Sequence, residues 1–513
     1  MRDFDINPII KSDYPDPDVI RVGDTYYMAS TTMHFFPGGA ILKSYDLVHW
    51  EPVTYLFDVL DDTEGERLER ECTNYGAGMW APCIRYHEGK FYVAFVSHNS
   101  RKTYLFTASD AAGPWEKREI AGYYHDCSLL FDDDGRNYIV YGNREIHLLE
   151  LDEKLSGPKE GGLDRIIAVD KVEGLGYEGS HLYKINGKYY LFMIHWEHPG
   201  VGRRSEVCLC ADSLSGDFEG KEVLNDDMGF FNMGVAQGGI VDTPTGKWYA
   251  VLFRDNGAVG RIPVLVPVTW KNDFPVFGVR GKVPQDMEIA SSRPYYRYEP
   301  VYTSDDFKYP ECLDGHPKLK IQWQWNHRPD AAHWCVLPEG GLKITTDKIC
   351  INVTHAKNTL TQRMMYPKCE AEVTVDASDL NEGDVAGLCA LQGVYGYIGV
   401  MKETGGYSLV KVIRQEKDFR DNGTDYMPGT LVEKIKLPDS KVSLCLKASF
   451  EDMQDKLDFF YLKDRRWVKV GTPLTLRFRL DHFCGARFGL FAFSTREWGG
   501  SALFSDFEYR YNT

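Results

Sequence analysis

A β-hairpin recurs through the first half of the chain, and nothing else in the sequence restricts the fold as much. Each copy is an apolar stretch, a turn containing Gly, and a strand rich in aromatics. The copies read DVIRVGDTYYMAST from Asp18, APCIRYHEGKFYVAFVSH from Ala81, CSLLFDDDGRNYIVYG from Cys127, SHLYKINGKYYLFMIHW from Ser180 and GGIVDTPTGKWYAVLF from Gly238. The aromatic after each turn falls at Tyr27, Tyr92, Tyr138, Tyr190 and Tyr249, at spacings of 65, 46, 52 and 59 residues. Second strand pairs such as ILKSYDLVHWEP and EVCLCADSLSGDFEG lie between them, so each unit holds about four strands. Helical periodicity is almost absent. Five such units in roughly 280 residues predict a five-bladed β-propeller, and the repetition disfavours an irregular sandwich.

The repetition stops after VTWKNDFPVFG. IASSRPYYRYEPVYTSDDF is Pro- and Tyr-rich without a period, as an ordered linker would be, and new alternating segments follow, among them KCEAEVTVDA, VSLCLKASF and ARFGLFAFS. The expected organisation is all-β: a propeller over 1–290, a linker over 291–305, and a β-sandwich of concanavalin or jelly-roll type over 306–513.

Charge narrows the function classes. Lys plus Arg number 59 against 75 Asp plus Glu, a net charge of −16. That field repels phosphate backbones and anionic lipid, so nucleic acid and membranes are not the expected partners. The aromatic share of 13% suits flat faces for a sugar. The opening MRDFDINPIIKSDYPDPD has no apolar leader, and the twelve Cys are scattered without a C-x-x-C pair. Both point to a cytoplasmic protein with reduced thiols. Gly174-Leu-Gly176-Tyr-Glu-Gly179 fits G-x-G-x-x-G, but a hairpin follows where a dinucleotide site needs a helix.

The acids carry the chemistry. Asp16 stands between two prolines just before the first hairpin, Asp126 directly precedes the third, and Glu178 the fourth. All three read as occupying one phase of successive repeats, the opening of a blade's innermost strand. In a propeller those positions converge at one end of the axis. Carboxylates brought together repel, so at least one pKa rises, and a raised acid beside an ionised base is what glycosidic bond cleavage requires. Asp132-Asp-Asp134-Gly reads only as a hairpin turn, and the acidic insertion from Asp61 to Glu71 as a solvated surface loop.

At these residues the chain resembles glycoside hydrolase family 43, the inverting β-xylosidase and α-L-arabinofuranosidase family. The likeness runs through NPIIKSDYPDPDVIRVGDTYYMASTT, GMWAPCIRYHEGKFYVAF, HDCSLLFDDDGRNYIVYG and EGSHLYKINGKYYLF, and through IQWQWNH, NTLTQR and GDVAGLCALQ in the second half. The resemblance implies that Asp16 is the general base, Glu178 the general acid and Asp126 the acid that holds up the pKa of Glu178. It also implies that Arg261 reaches the −1 sugar, that Trp80 and Phe36 line its pocket, and that Phe483 closes the pocket from the sandwich. Two departures stand out. Many members place a His in the fifth-blade opening, where it holds a structural calcium; Gln237 stands here, offering an oxygen but no imidazole. The segment Phe192-Met-Ile-His195-Trp196 is bulkier than the family's, so His195 is expected to reshape the sugar pocket. No cofactor is required by this reading, the partner is an oligosaccharide, and such enzymes often form homo-oligomers. A carbohydrate-binding propeller without activity and a propeller phosphorylase are the alternatives.

Overall fold

The computed structural model describes residues 6–171, 175–196, 202–310, 312, 314–415 and 427–512. Gly174, of the Gly-rich motif, lies outside them. Five four-stranded antiparallel sheets follow one another in sequence order. They span Asp18–Val22 to Glu51–Phe57, Met79–His87 to Glu116–Ile120, Ser128–Phe131 to Asp164–Val169, Gly176–Ile185 to Glu219–Leu224, and Ala236–Asp242 to Phe274–Phe277. These are the five blades of a β-propeller. The repeated hairpin supplies the two inner strands of each, and its aromatics and β-branched residues pack between blades, as Phe95 of blade 2 does against Phe57 of blade 1. Among the described residues no added strand closes the ring. Instead the N-terminal segment runs along blade 5, where the Ile9 amide donates to the Pro263 carbonyl and Tyr14 to that of Arg261.

The second unit is a sandwich of two antiparallel sheets of concanavalin type. Its first sheet begins with a strand from the propeller: Phe35–Phe36, in the loop of blade 1, pairs with Gln324–Asn326. The segment between the two units is stitched down. Tyr296 packs edge-on against Tyr45, the Tyr45 amide donates to the Tyr298 hydroxyl, and Asp305 exchanges backbone bonds with Phe507.

The acidic insertion differs from its expectation as a solvated loop. Glu66 is 1% exposed and accepts the Asp61 and Asp62 amides, while Leu68 is buried. The Arg328 amide donates to the Glu66 carbonyl, and Lys348 Nζ donates to the Leu68 carbonyl. The insertion is a strap between propeller and sandwich, and Glu66 is the buried acceptor that folds it. All twelve cysteines are free thiols. Among the described residues no helix is long and apolar enough to cross a membrane.

Candidate active site

Five residues ring the propeller axis in the left-handed region: Asp16 (φ 52°), Ala81 (37°), Asp126 (50°), Gly179 (65°) and Gln237 (57°). Each stands two positions before an equivalent inner-strand residue: Asp18, Cys83, Ser128, His181 and Gly239. In blades 2, 4 and 5 the pairing register slips at this point, the mark of a β-bulge. Backbone strain of this kind persists where the surroundings over-determine it, and it collects at functional sites. In blade 4 the ring position is Gly, and a Cβ there would lie 2.6 Å from the Gln237 side chain. The three acids are therefore not in one phase. Asp16 and Asp126 hold the ring position, and Glu178 stands one residue before it.

All three nevertheless line one cavity of about 790 Å³, with Arg261, Trp80, Gln237 and Phe483. Asp16 is buried; its Oδ1 accepts from Arg261 Nη1 at 2.9 Å and its Oδ2 from the Thr31 hydroxyl at 2.7 Å. Burial pushes the Asp16 carboxyl up, and Arg261 and Thr31 pull against it, so Arg261 offsets the shift without reversing it. Asp126 Oδ2 accepts the Gly179 amide at 3.1 Å. Glu178 Oε2 accepts from Asn143 Nδ2 at 2.7 Å. Burial, and then the charge of Asp126, raise the Glu178 carboxyl to about 7. Each of His125, Asp126 and Glu178 offers an atom within 4.8 Å of the others, so acid and neighbour are in direct electrostatic contact.

Arg261 is 4% exposed, and its Nε and Nη2 have no partner among the described residues. Its guanidinium lies 4.5 Å from the centre of the Phe483 ring. Two buried acids aim it. Asp13 accepts the Arg261 amide (2.8 Å) and the Gly485 amide of the sandwich (2.7 Å). Asp455, from the sandwich, accepts the Ala258 amide at 3.0 Å in the turn before Arg261. The cavity is thus closed by the second domain, through Met453, Asp455, Arg477, Phe478, Leu480 and Phe483.

Two expected pocket residues lie elsewhere. Phe36 is buried among blade residues, 5.9 Å from the Phe57 ring, and Met33 reaches the cavity in its place. His195 Nε2 lies 2.8 Å from Asp170, and the next residue, Trp196, is the one that lines the cavity. Side chains alternate along a strand, so a one-residue error of this kind changes the face. Asp13, Asn143 and Asp455 were not singled out from sequence. Asn143 ends a hairpin strand, and Asp455 lies in FEDMQDKLD, which reads as a charged surface turn.

The axis beneath the cavity does not fit calcium. Asp18, fully buried, accepts from Arg85 Nη1 (2.6 Å), the Ile84 amide (2.8 Å) and the Tyr183 hydroxyl (3.2 Å), and lies 3.1 Å from His181 Nδ1. Burial opposes its ionisation, but Arg85 and His181 outweigh burial and hold its carboxyl well below the usual range. Glu206, which accepts the Gln237 amide at 2.7 Å, is pushed well above that range by burial. A hard cation needs six or more oxygens, about 2.4 Å away; here the Arg85 guanidinium already neutralises the Asp18 carboxylate.

Three carboxyls in one cavity of sugar size, Glu178 raised beside Asp126 and Asp16 held against the Arg261 guanidinium, define a glycosidase-type hydrolase. The chain belongs to glycosyl hydrolases family 43: that family's model matches residues 6–275, and the β-xylosidase C-terminal concanavalin A-like domain matches 314–510. A solved bifunctional GH43-CE protein of Bacteroides eggerthii is 41% identical, with a TM-score of 0.89. That match covers 98% of this chain, which spans 63% of the length of the solved one. A β-xylosidase of Formosa agariphila is 27% identical over 99% of this chain and 90% of its own. A non-reducing end α-L-arabinofuranosidase of Bacteroides ovatus is 28% identical over 74% of this chain and 72% of its own.

Proposed function

We propose that the chain is an inverting, exo-acting glycoside hydrolase that releases a terminal pentose, xylose or arabinose, from hemicellulose-derived oligosaccharides. One observation carries this reading: in a single cavity Glu178 is pushed up to about 7 beside Asp126, while Asp16 lies against Arg261. Glu178 then holds the proton that the leaving oxygen needs. Asp16 takes a proton from the attacking water, and Asp126 keeps Glu178 protonated near neutral pH. Arg261 has two donor nitrogens to spare for sugar hydroxyls. The roof of sandwich residues favours a chain end over a chain middle. Relatives named for xylose and for arabinose both match, so the test uses aryl pentosides of both kinds, with the product anomer followed by NMR. Inversion is expected, with turnover falling about 10²-fold or more in Asp16→Asn and Glu178→Gln. A retained anomer, or unaffected turnover in either variant, overturns the assigned roles.

A further inference from the structure

The catalytic cavity does not end at Glu178. A second hollow of about 500 Å³ lies across blade 3, and His125 and Asn143 line both. Asn143 is the residue that donates to Glu178 Oε2. The proton of a general acid goes to the leaving group, so the part of the substrate that departs has to lie on the Glu178 side of the cleaved bond. The hollow begins there.

Its walls suit sugar units. Tyr141 and His147 are partners across adjacent strands, with rings 5.2 Å apart and 16° from parallel. Tyr123 lies 6.4 Å from His125 with the ring planes 21° apart. Val169, 49% exposed, adds apolar surface, and the exposed Arg144 and Glu145 add a polar edge. Gly142 sits in that wall at a positive φ of 124°, where a Cβ would lie 2.2 Å from the Glu145 carbonyl oxygen. Aromatic faces stack on the C–H faces of pyranose rings, while polar groups at the margin bind hydroxyls.

We propose that this hollow is an aglycone groove that holds the sugar units behind the leaving oxygen, so that the enzyme selects longer oligosaccharide chains. The proposal rests on Glu178 being the general acid. Its occupant is the remainder of the same chain whose end sits in the cavity. The experiment compares an aryl pentoside, a pentose disaccharide and a pentose pentasaccharide, using the full chain. Wild-type kcat/KM is expected to rise from disaccharide to pentasaccharide. Tyr141→Ala and His147→Ala are each expected to raise KM for the pentasaccharide about fivefold, leaving its kcat and the aryl pentoside unchanged. A flat length profile in the wild type, or equal losses on aryl pentoside and pentasaccharide in folded variants, overturns the groove. If Tyr141→Ala does not fold, the half-exposed Val169→Asn variant reads the same hollow, with the same expected split. Wild-type turnover of the aryl pentoside upholds the hydrolase reading even where the groove fails; absence of all turnover overturns both.

Discussion

Glu178 is where a single residue has the clearest consequence. Its carboxyl rises from an ordinary 4.5 to about 7 because burial and the Asp126 charge disfavour ionisation. In its proposed role of general acid it must be protonated, so kcat/KM should fall about tenfold per pH unit above about 7. Asp126→Asn removes the like charge and should move that limb to lower pH. The same shift affects stability. A raised folded-state pKa gives stability that is full below the unfolded value and lost as pH rises through the folded one. Glu178→Gln should therefore raise the melting temperature by about 3 °C above pH 7 and hardly change it near pH 4. Equal gains at both pH values would refute the assignment. Asp16, Asp126 and Glu178 were legible in the sequence because each stands at the opening of a repeated hairpin. The bulge was not legible, since an extra residue leaves no compositional trace. Glu178 reads as in phase because the sequence does not show that Gly179, one residue on, holds the ring position in blade 4. His195 and Phe36 were misplaced more simply, because the family pattern reaches the segment and not the face.

At the scale of elements, five inner strands meet on the axis, and the residues there must satisfy one another. Arg85 donates to Asp18, to Ser128 Oγ at 2.8 Å and to the Leu129 carbonyl at 2.9 Å, joining blades 1, 2 and 3, while His181 and Tyr183 bring in blade 4. Blade 5 approaches through Gly239, where a Cβ would lie 2.4 Å from Asp18 Oδ1. This polar plug serves where a bound cation could otherwise neutralise the axis. Exhaustive chelation, or added calcium, should leave both melting temperature and turnover unchanged. Arg85→Met strands a buried carboxylate and should cost about 3–5 kcal/mol in a denaturant titration. Loss of stability on chelation alone would show that the plug is not self-sufficient. The blades themselves were readable because each repeats a two-residue alternation around a Gly turn. The plug was hidden, since its members are ordinary strand residues whose meeting depends on ring closure.

Over the whole molecule, the division into propeller and sandwich was visible where the repeat stops, but the way the two are joined was not. The donated strand is only Phe35–Phe36, too short to register as a strand, and the strap at Asp61–Glu71 has the composition of a surface loop. The structure makes the two units share a core: Ala258, Val259 and Ile262 of blade 5 pack with Leu388, Phe488 and Phe507 of the sandwich. The join also bears on the site. Asp13 links Arg261 to Gly485, the Ala486 amide and Gln392 Nε2 both donate to the Ala258 carbonyl, and Asp455 holds the Ala258 amide. Arg261 is thus positioned by both halves. If the sandwich were an accessory module, the propeller over 1–290 would fold and turn over substrate alone. The shared core predicts the reverse. That fragment would expose the apolar face of blade 5 and lose the groups that set Arg261, so it should aggregate or show no turnover of an aryl pentoside. Calorimetry of the full chain should show one cooperative transition, with activity lost on the same curve. Two separated transitions, with turnover surviving the first, would mean that the propeller builds its site unaided.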